Sequence, residues 1–217
     1  MSQGLRYKFN GSTFSVQTGY TGVSPLPVIT NVTQTDPVVV SSGTTFTDGN
    51  VVLIATVVGM TNLNDNLYVV DNAVALTSFE LAGEDASAAD AYVSDGTIDE
   101  VAFSSFCELT GANQQDGGAD EIEVTTICST AKEFEQGLSD SGTLQLDYNS
   151  APNSVIQTAL RTAKVSGDQV AFKITFPNSG GTVIMLGTVQ SQSMSGSVND
   201  VWKGSATVKL TGPIFVL

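Results

Sequence analysis

The chain has 217 residues, 41% of them hydrophobic and only 14% charged, with a formal net charge of −14 and no histidine. A charge of that sign and size opposes binding to phosphate backbones and anionic membranes, both of which need clustered Lys and Arg. Without imidazole there is no Ser–His pair and no ordinary zinc site, so the common routes to enzymatic catalysis are closed.

The charge is unevenly placed. Residues 9–131 contain no Lys or Arg, yet they hold 16 of the 22 Asp and Glu. The polar remainder is Ser, Thr, Asn, Gln and Gly, a composition suited to turn-rich β-structure. The opening "MSQGLRYKFNGSTF" has no apolar run of signal-peptide length, and no stretch approaches the roughly 18 apolar residues of a membrane span. Folding in a cytoplasm, with no membrane partner, is the expectation.

In chain order, "VSPLPV" (23–28) brings two prolines together and reads as a boundary. Residues 27–97 then carry five short extended pieces, "PVVVSS", "NVVLIATVVGM", "NLYVVDNAV", "SFELAG" and a small-residue stretch, enough for a small barrel. Within them "VVLIATVVGM" (51–60) reads as a buried strand. "GANQQDGGAD" (111–120) is too long and polar for a tight hairpin and reads as a loop. "EIEVTTIC" sets Ile122 and Val124 against Glu121 and Glu123, the alternation of a half-buried strand. Cys107 and Cys128 read as small apolar side chains on neighbouring strands.

"GTLQLDY" places Leu144, Leu146 and Tyr148 inward and Gln145 and Asp147 outward. "NSVIQTALRTAK" (153–164) is the one segment with a helical period, with Val155, Ile156, Ala159, Leu160 and Ala163 on a stripe and Asn153 as N-cap. "VAFKITFP" alternates Val170, Phe172, Ile174 and Phe176 against Ala171, Lys173 and Thr175. "ATVKLTG" puts Val208 and Leu210 opposite Thr207 and Lys209. Trp202 reads as core or as a buried interface anchor, with core preferred. One helix among many strands defines a mainly β chain, a β-sandwich or barrel closed by a helix. "DGGAD" and "DASAADAYVSD" lack the ligand spacing of a calcium loop, and no phosphate loop is present, so neither metal nor cofactor is expected.

Residues 98–217 resemble the tail tube proteins of long-tailed bacteriophages. The resemblance rests on an ordered set: "FCELTG", "DEIEVTTICSTAKEFEQGLSDSGTLQLDY", the short helix, "FKITFPNSGGTVIMLGTVQ" and a closing "LTGPI". Residues 27–97 resemble a small β-barrel module of phage tail proteins, named after the first catalytic-cysteine half-domain of ubiquitin-activating enzymes. The matching residues centre on "GMTNLN", "YVV" and "FEL". That segment has no cysteine, so no ubiquitin chemistry is carried over. The implied organisation is a tail tube domain (1–26 and 98–217) with an inserted small β-barrel (27–97) on the outer surface.

The resemblance implies a non-enzymatic structural subunit that forms hexameric rings, stacked into a hollow tube conducting DNA from capsid to host. Its implied partners are further copies of itself, a tape measure protein, and tail terminator or tail tip proteins, in a virion tail assembled in the host cytoplasm. Closing a ring also removes the open sheet edges that would otherwise aggregate. On this reading Glu121, Glu123, Asp140 and Asp147 are candidate lumen-facing acids. Gly111, Asn113, Gln114, Gln115, Asp116 and Asp120 belong to a loop that orders against a neighbouring subunit or ring. The alternative is a surface adhesin or decoration protein that uses 27–97 to bind a host-cell sugar or protein.

Overall fold

The computed structural model describes residues 6–217, and these hold fifteen β-strands and one α-helix. β1 (Thr13–Tyr20) precedes a group of short strands: β2 (Ile29–Val32), β3 (Val38–Ser42), β4 (Val51–Ala55), β5 (Asn66–Val74) and β6 (Ser78–Leu81). The longer β7 (Thr97–Ser105) leads to β8 (Leu109–Gln115), β9 (Ala119–Glu123), β10 (Phe134–Ser139) and β11 (Thr143–Asn149). Helix α1 (Val155–Ser166) follows, then β12 (Gln169–Thr175), β13 (Thr182–Ser195), β14 (Lys203–Leu210) and β15 (Phe215–Val216).

Hydrogen bonding runs through one continuous path, β2-β3-β6-β5-β4-β7-β1-β12-β13-β14-β11-β8, with β15 on β13 and β9–β10 forming a separate pair. All strand pairings are antiparallel. β7 joins the two halves of the path: Thr97–Glu100 pair with β4, while Val101–Ser105 pair with β1.

Three apolar clusters follow from this layout. The first packs alternate residues of β1, β11, β12, β13 and β14 against Ile156, Leu160 and Ala163 of α1. The second fills the interior formed by β2–β6 with residues such as Val40, Ile54, Met60 and Phe79. The third lies between them and draws Val51, Leu67 and Val69 from one side and Val101, Ala171, Ile184 and Leu186 from the other.

The third cluster corrects the expectation for β12. Val170 and Phe172 are buried as the alternation requires, but Ala171 is fully buried too, because β12 is covered on both faces. By contrast, β11 buries Leu144, Leu146 and Tyr148 and exposes Gln145 and Asp147, as the sequence pattern demands.

The helix begins two residues later than the sequence suggests, and its cap is not Asn153. Ser154 is the N-cap and makes no side-chain cap bond. Gln157 ties down the first turn instead, since its Oε1 accepts the Ala151 N–H at 2.9 Å and its Nε2 donates to the Asn149 carbonyl at 3.0 Å. Val155, placed on the buried stripe by periodicity, is 64% exposed. Gly167 closes the helix in the left-handed region (φ 79°), its N–H bonding the Ala163 carbonyl.

The polar stretch 111–120 is not a loop. Its first half is β8 and its last residues start β9, leaving only 116–118 between them. β9 is not half-buried either, since Ile122 is exposed along with Glu121 and Glu123. Both cysteines are exposed and free, Cys107 in the β7–β8 turn and Cys128 in the β9–β10 connection. They are therefore not core residues.

Candidate assembly surface

The outward side chains of β8, β11, β14 and β13 align in rows across one sheet face. One row is Asn113, Gln145, Thr207 and Ser191; the next is Gly111, Asp147, Ser205 and Ser193. The hydroxyls of Ser193 and Ser205 lie 2.8 Å apart and share a hydrogen bond. The flanking rows add Gln115, Thr143, Lys209 and Thr188 at one end and Asn149, Lys203 and Ser195 at the other. The opposite face of the same strands belongs to the first apolar cluster. A sheet with one apolar and one hydroxyl- and amide-covered face is what strict alternation produces.

The face is nearly free of uncompensated charge. Lys209 donates to the Asp140 carboxylate, and Lys203 meets Asp200 at 3.0 Å. The Lys209 ammonium and the Gly142 N–H hold the Asp140 carboxyl below the usual carboxylate range, and Lys203 does the same for Asp200. Both pairs are solvent-exposed, so their role is to cancel charge locally more than to stabilise the fold. Asp147 is the one charge on the face without an ionic partner among the described residues.

The four acids singled out from the sequence therefore separate. Asp147 stands on this face and Asp140 sits at its rim. Glu121 and Glu123 lie on the β9–β10 arm, off the main sheet, with Glu123 paired to Lys132 at 3.2 Å. Of the residues assigned to a loop, Gly111, Asn113, Gln114 and Gln115 lie on β8, the terminal strand of the path, which pairs only with β11. Asp116 is in the connection and Asp120 is on β9.

Trp202 is not core. It is 59% exposed, and its indole lies against the backbone of Gly196, where an added Cβ would come within 2.7 Å of the ring. With Met194, Val198 and Val201 it forms an exposed apolar patch at the β13–β14 turn. Periodicity could not find this patch, because the residues lie beyond the alternating parts of both strands. The β9–β10 arm likewise exposes apolar side chains, Ile122, Ile127, Phe134 and Leu138.

Among the described residues, no group of three or more His, Cys, Asp or Glu could hold a metal ion, and no helix is long and apolar enough to cross a membrane.

A β-rich chain with a charge-cancelled polar sheet face and an open terminal strand has the form of a building block. Residues 86–184 match the family model of the phage tail tube, TTP, lambda-like, which supports a structural, non-enzymatic protein of the bacteriophage tail. Among solved structures the chain is similar to the SPP1 tail tube, determined by solid-state NMR and cryo-EM, at 14% identity. That similarity covers 53% of this chain and 67% of the other, with a TM-score of 0.43. No curated protein matches the chain.

Proposed function

We propose that the chain is the repeating subunit of a phage tail tube: copies close into rings, six to a ring as the resemblance implies, and the rings stack around a bore that conducts double-stranded DNA. The observation that carries this reading is the match of residues 86–184 to the tail tube family. The open edge of β8 supports it, since a terminal strand with unpaired backbone groups needs a cover, and a second copy provides one.

In this arrangement the polar face of β8, β11, β14 and β13 lines the bore. Its two lysines are neutralised and its one free charge is that of Asp147. Such a wall holds no phosphates by counterion release, so DNA slides past it. The segment 27–97 faces outward, and Trp202 with its apolar neighbours is covered by an adjoining subunit. The ends of the tube meet tape measure and terminator or tip proteins, in a tail put together in the host cytoplasm.

Size-exclusion chromatography and negative-stain microscopy of the concentrated chain test the proposal. Rings or tubes of uniform bore are expected. A chain that remains single at every concentration, and instead binds host cells through 27–97, would replace it with the adhesin reading.

A further inference from the structure

A groove of about 690 Å³ lies at the start of β1. Tyr7, Lys8 and Phe9 form one wall, and Cys107, Leu109 and Phe176 stand among the residues of the others. The N-terminal wall is held in place. The Tyr7 ring packs on Phe176 with 5.5 Å between centroids, and the Ser12 hydroxyl donates to the Lys8 carbonyl at 3.0 Å. Lys8 is the basic residue of this wall, Arg6 precedes it by two positions in the chain, and among the described residues neither has a carboxylate partner.

The β9–β10 arm is its chemical counterpart. The arm carries Asp120, Glu121, Glu123, Glu133 and Glu135 against the single base Lys132. It also presents Ile127 with its side chain entirely in solvent and Leu138 at 86% exposure. β9 and β10 pair only with each other, so no part of the main sheet covers these side chains.

We propose that this groove receives the acidic, apolar-tipped β9–β10 arm of a second copy of the chain. Charge decides the partner: each copy carries −14, and copies attract only where a local basic patch meets a local acidic one. Arg6 and Lys8 beside an apolar groove supply such a patch, and the arm supplies the matching acids and side chains to fill it. β8 leads from the groove wall at Leu109 towards the base of the arm beyond Gln115, so one copy presents the two parts at opposite ends of that strand. A contact between two different surfaces of identical chains is head-to-tail, and it propagates without limit unless its rotation closes it. The inference rests on the self-assembly reading above and specifies which surfaces meet.

The two native cysteines report on it, since Cys107 lines the groove and Cys128 lies near the tip of the arm. Assembled protein is treated with diamide, which takes up the two electrons and two protons released when the thiols join. A Cys107–Cys128 disulfide between copies is expected, visible as a ladder on non-reducing gels, assigned by peptide mass spectrometry, and lost in Cys107→Ser or Cys128→Ser. Ile127→Asp and Lys8→Glu, both at exposed positions, are expected to raise the assembly concentration at least tenfold, and adding Glu121→Lys to Lys8→Glu to recover part of the loss. Rings or tubes that give only Cys128–Cys128 links, or none, and that tolerate both substitutions, overturn the inference and leave the tube reading standing. A chain that never assembles removes both.

Discussion

The side chain of Gln17 bridges the bulge in β1 and accepts a hydrogen bond from the backbone N–H of Ala171 at 3.0 Å, inside the protein. Regular pairing of β1 with β12 ends at Val16 and Phe172, so the next amide would otherwise be buried without a partner. Gln17→Leu keeps the volume and removes the acceptor. The expected cost is about 1–3 kcal/mol, the penalty for orphaning a buried donor. It is read as a lower urea midpoint at unchanged slope.

The start of α1 gives a sharper contrast. Gln157→Ala removes two bonds that tie the first turn to Ala151 and Asn149, and is expected to cost about 1–2 kcal/mol, in the range of a lost cap. Asn153→Ala, at the position that sequence preference favours for the cap, is expected to stay within about 0.5 kcal/mol, as for ordinary surface changes. Thermal melts of the two variants side by side decide which residue anchors the first turn of the helix.

Gly204 on β14 faces the ring of Tyr148, and a Cβ there would approach ring carbons to 2.3 Å. Tyr148 cannot retreat, because it is buried against Phe106 with ring centroids 5.2 Å apart. Gly204→Ala is therefore expected to destabilise by about 1–3 kcal/mol through overpacking, despite alanine being the better strand residue. Adding Tyr148→Leu should return part of the loss, a coupling that a double-mutant cycle measures.

Asp140 binds Lys209 and the Gly142 N–H, and both favour its ionised form. Its folded value lies below its unfolded one, so its contribution to stability is complete above the ordinary carboxylate value of about 3.9 and is lost as pH falls through the lowered one. NMR titration should find the Asp140 midpoint below that ordinary value. Lys209→Gln should move it upward.

Excising residues 27–97 tests the third apolar cluster. Removing Val51, Leu67 and Val69 uncovers Ala171, Ile184 and Leu186 on the back of β12 and β13. The shortened chain is expected to aggregate in light scattering, and Leu186→Ser within it to improve solubility. A shortened chain as soluble as the parent would show that this cluster is no structural joint.

The elements that alternation defines were legible from the sequence. β11 and β14 bury Leu144, Leu146, Val208 and Leu210 as their two-residue period requires, whereas of the run 51–60 only Val51–Ala55 is strand, ending at Thr56 with its positive φ. Departures arose where a second layer or its absence changed the rule. Ala171 is buried because a second layer covers it, while Ile122 alternates with acids yet stays half exposed. The stretch 111–115 was hidden because a strand at the edge of a polar face carries Gly, Asn and Gln, residues that otherwise mark loops. Trp202 illustrates the limit of composition: a lone tryptophan is expected to be buried, and here it is 59% exposed.

β7 runs unbroken from its pairing with β4 to its pairing with β1. A strand is stiff along its length, so it acts as a spar, and the 27–97 module cannot swivel as a tethered appendage would. In the tube proposed above, residues 27–97 would project at bearings dictated by the stack's own helical repeat, like teeth cut on a rod. The outer texture of the particle would then be as periodic as its bore.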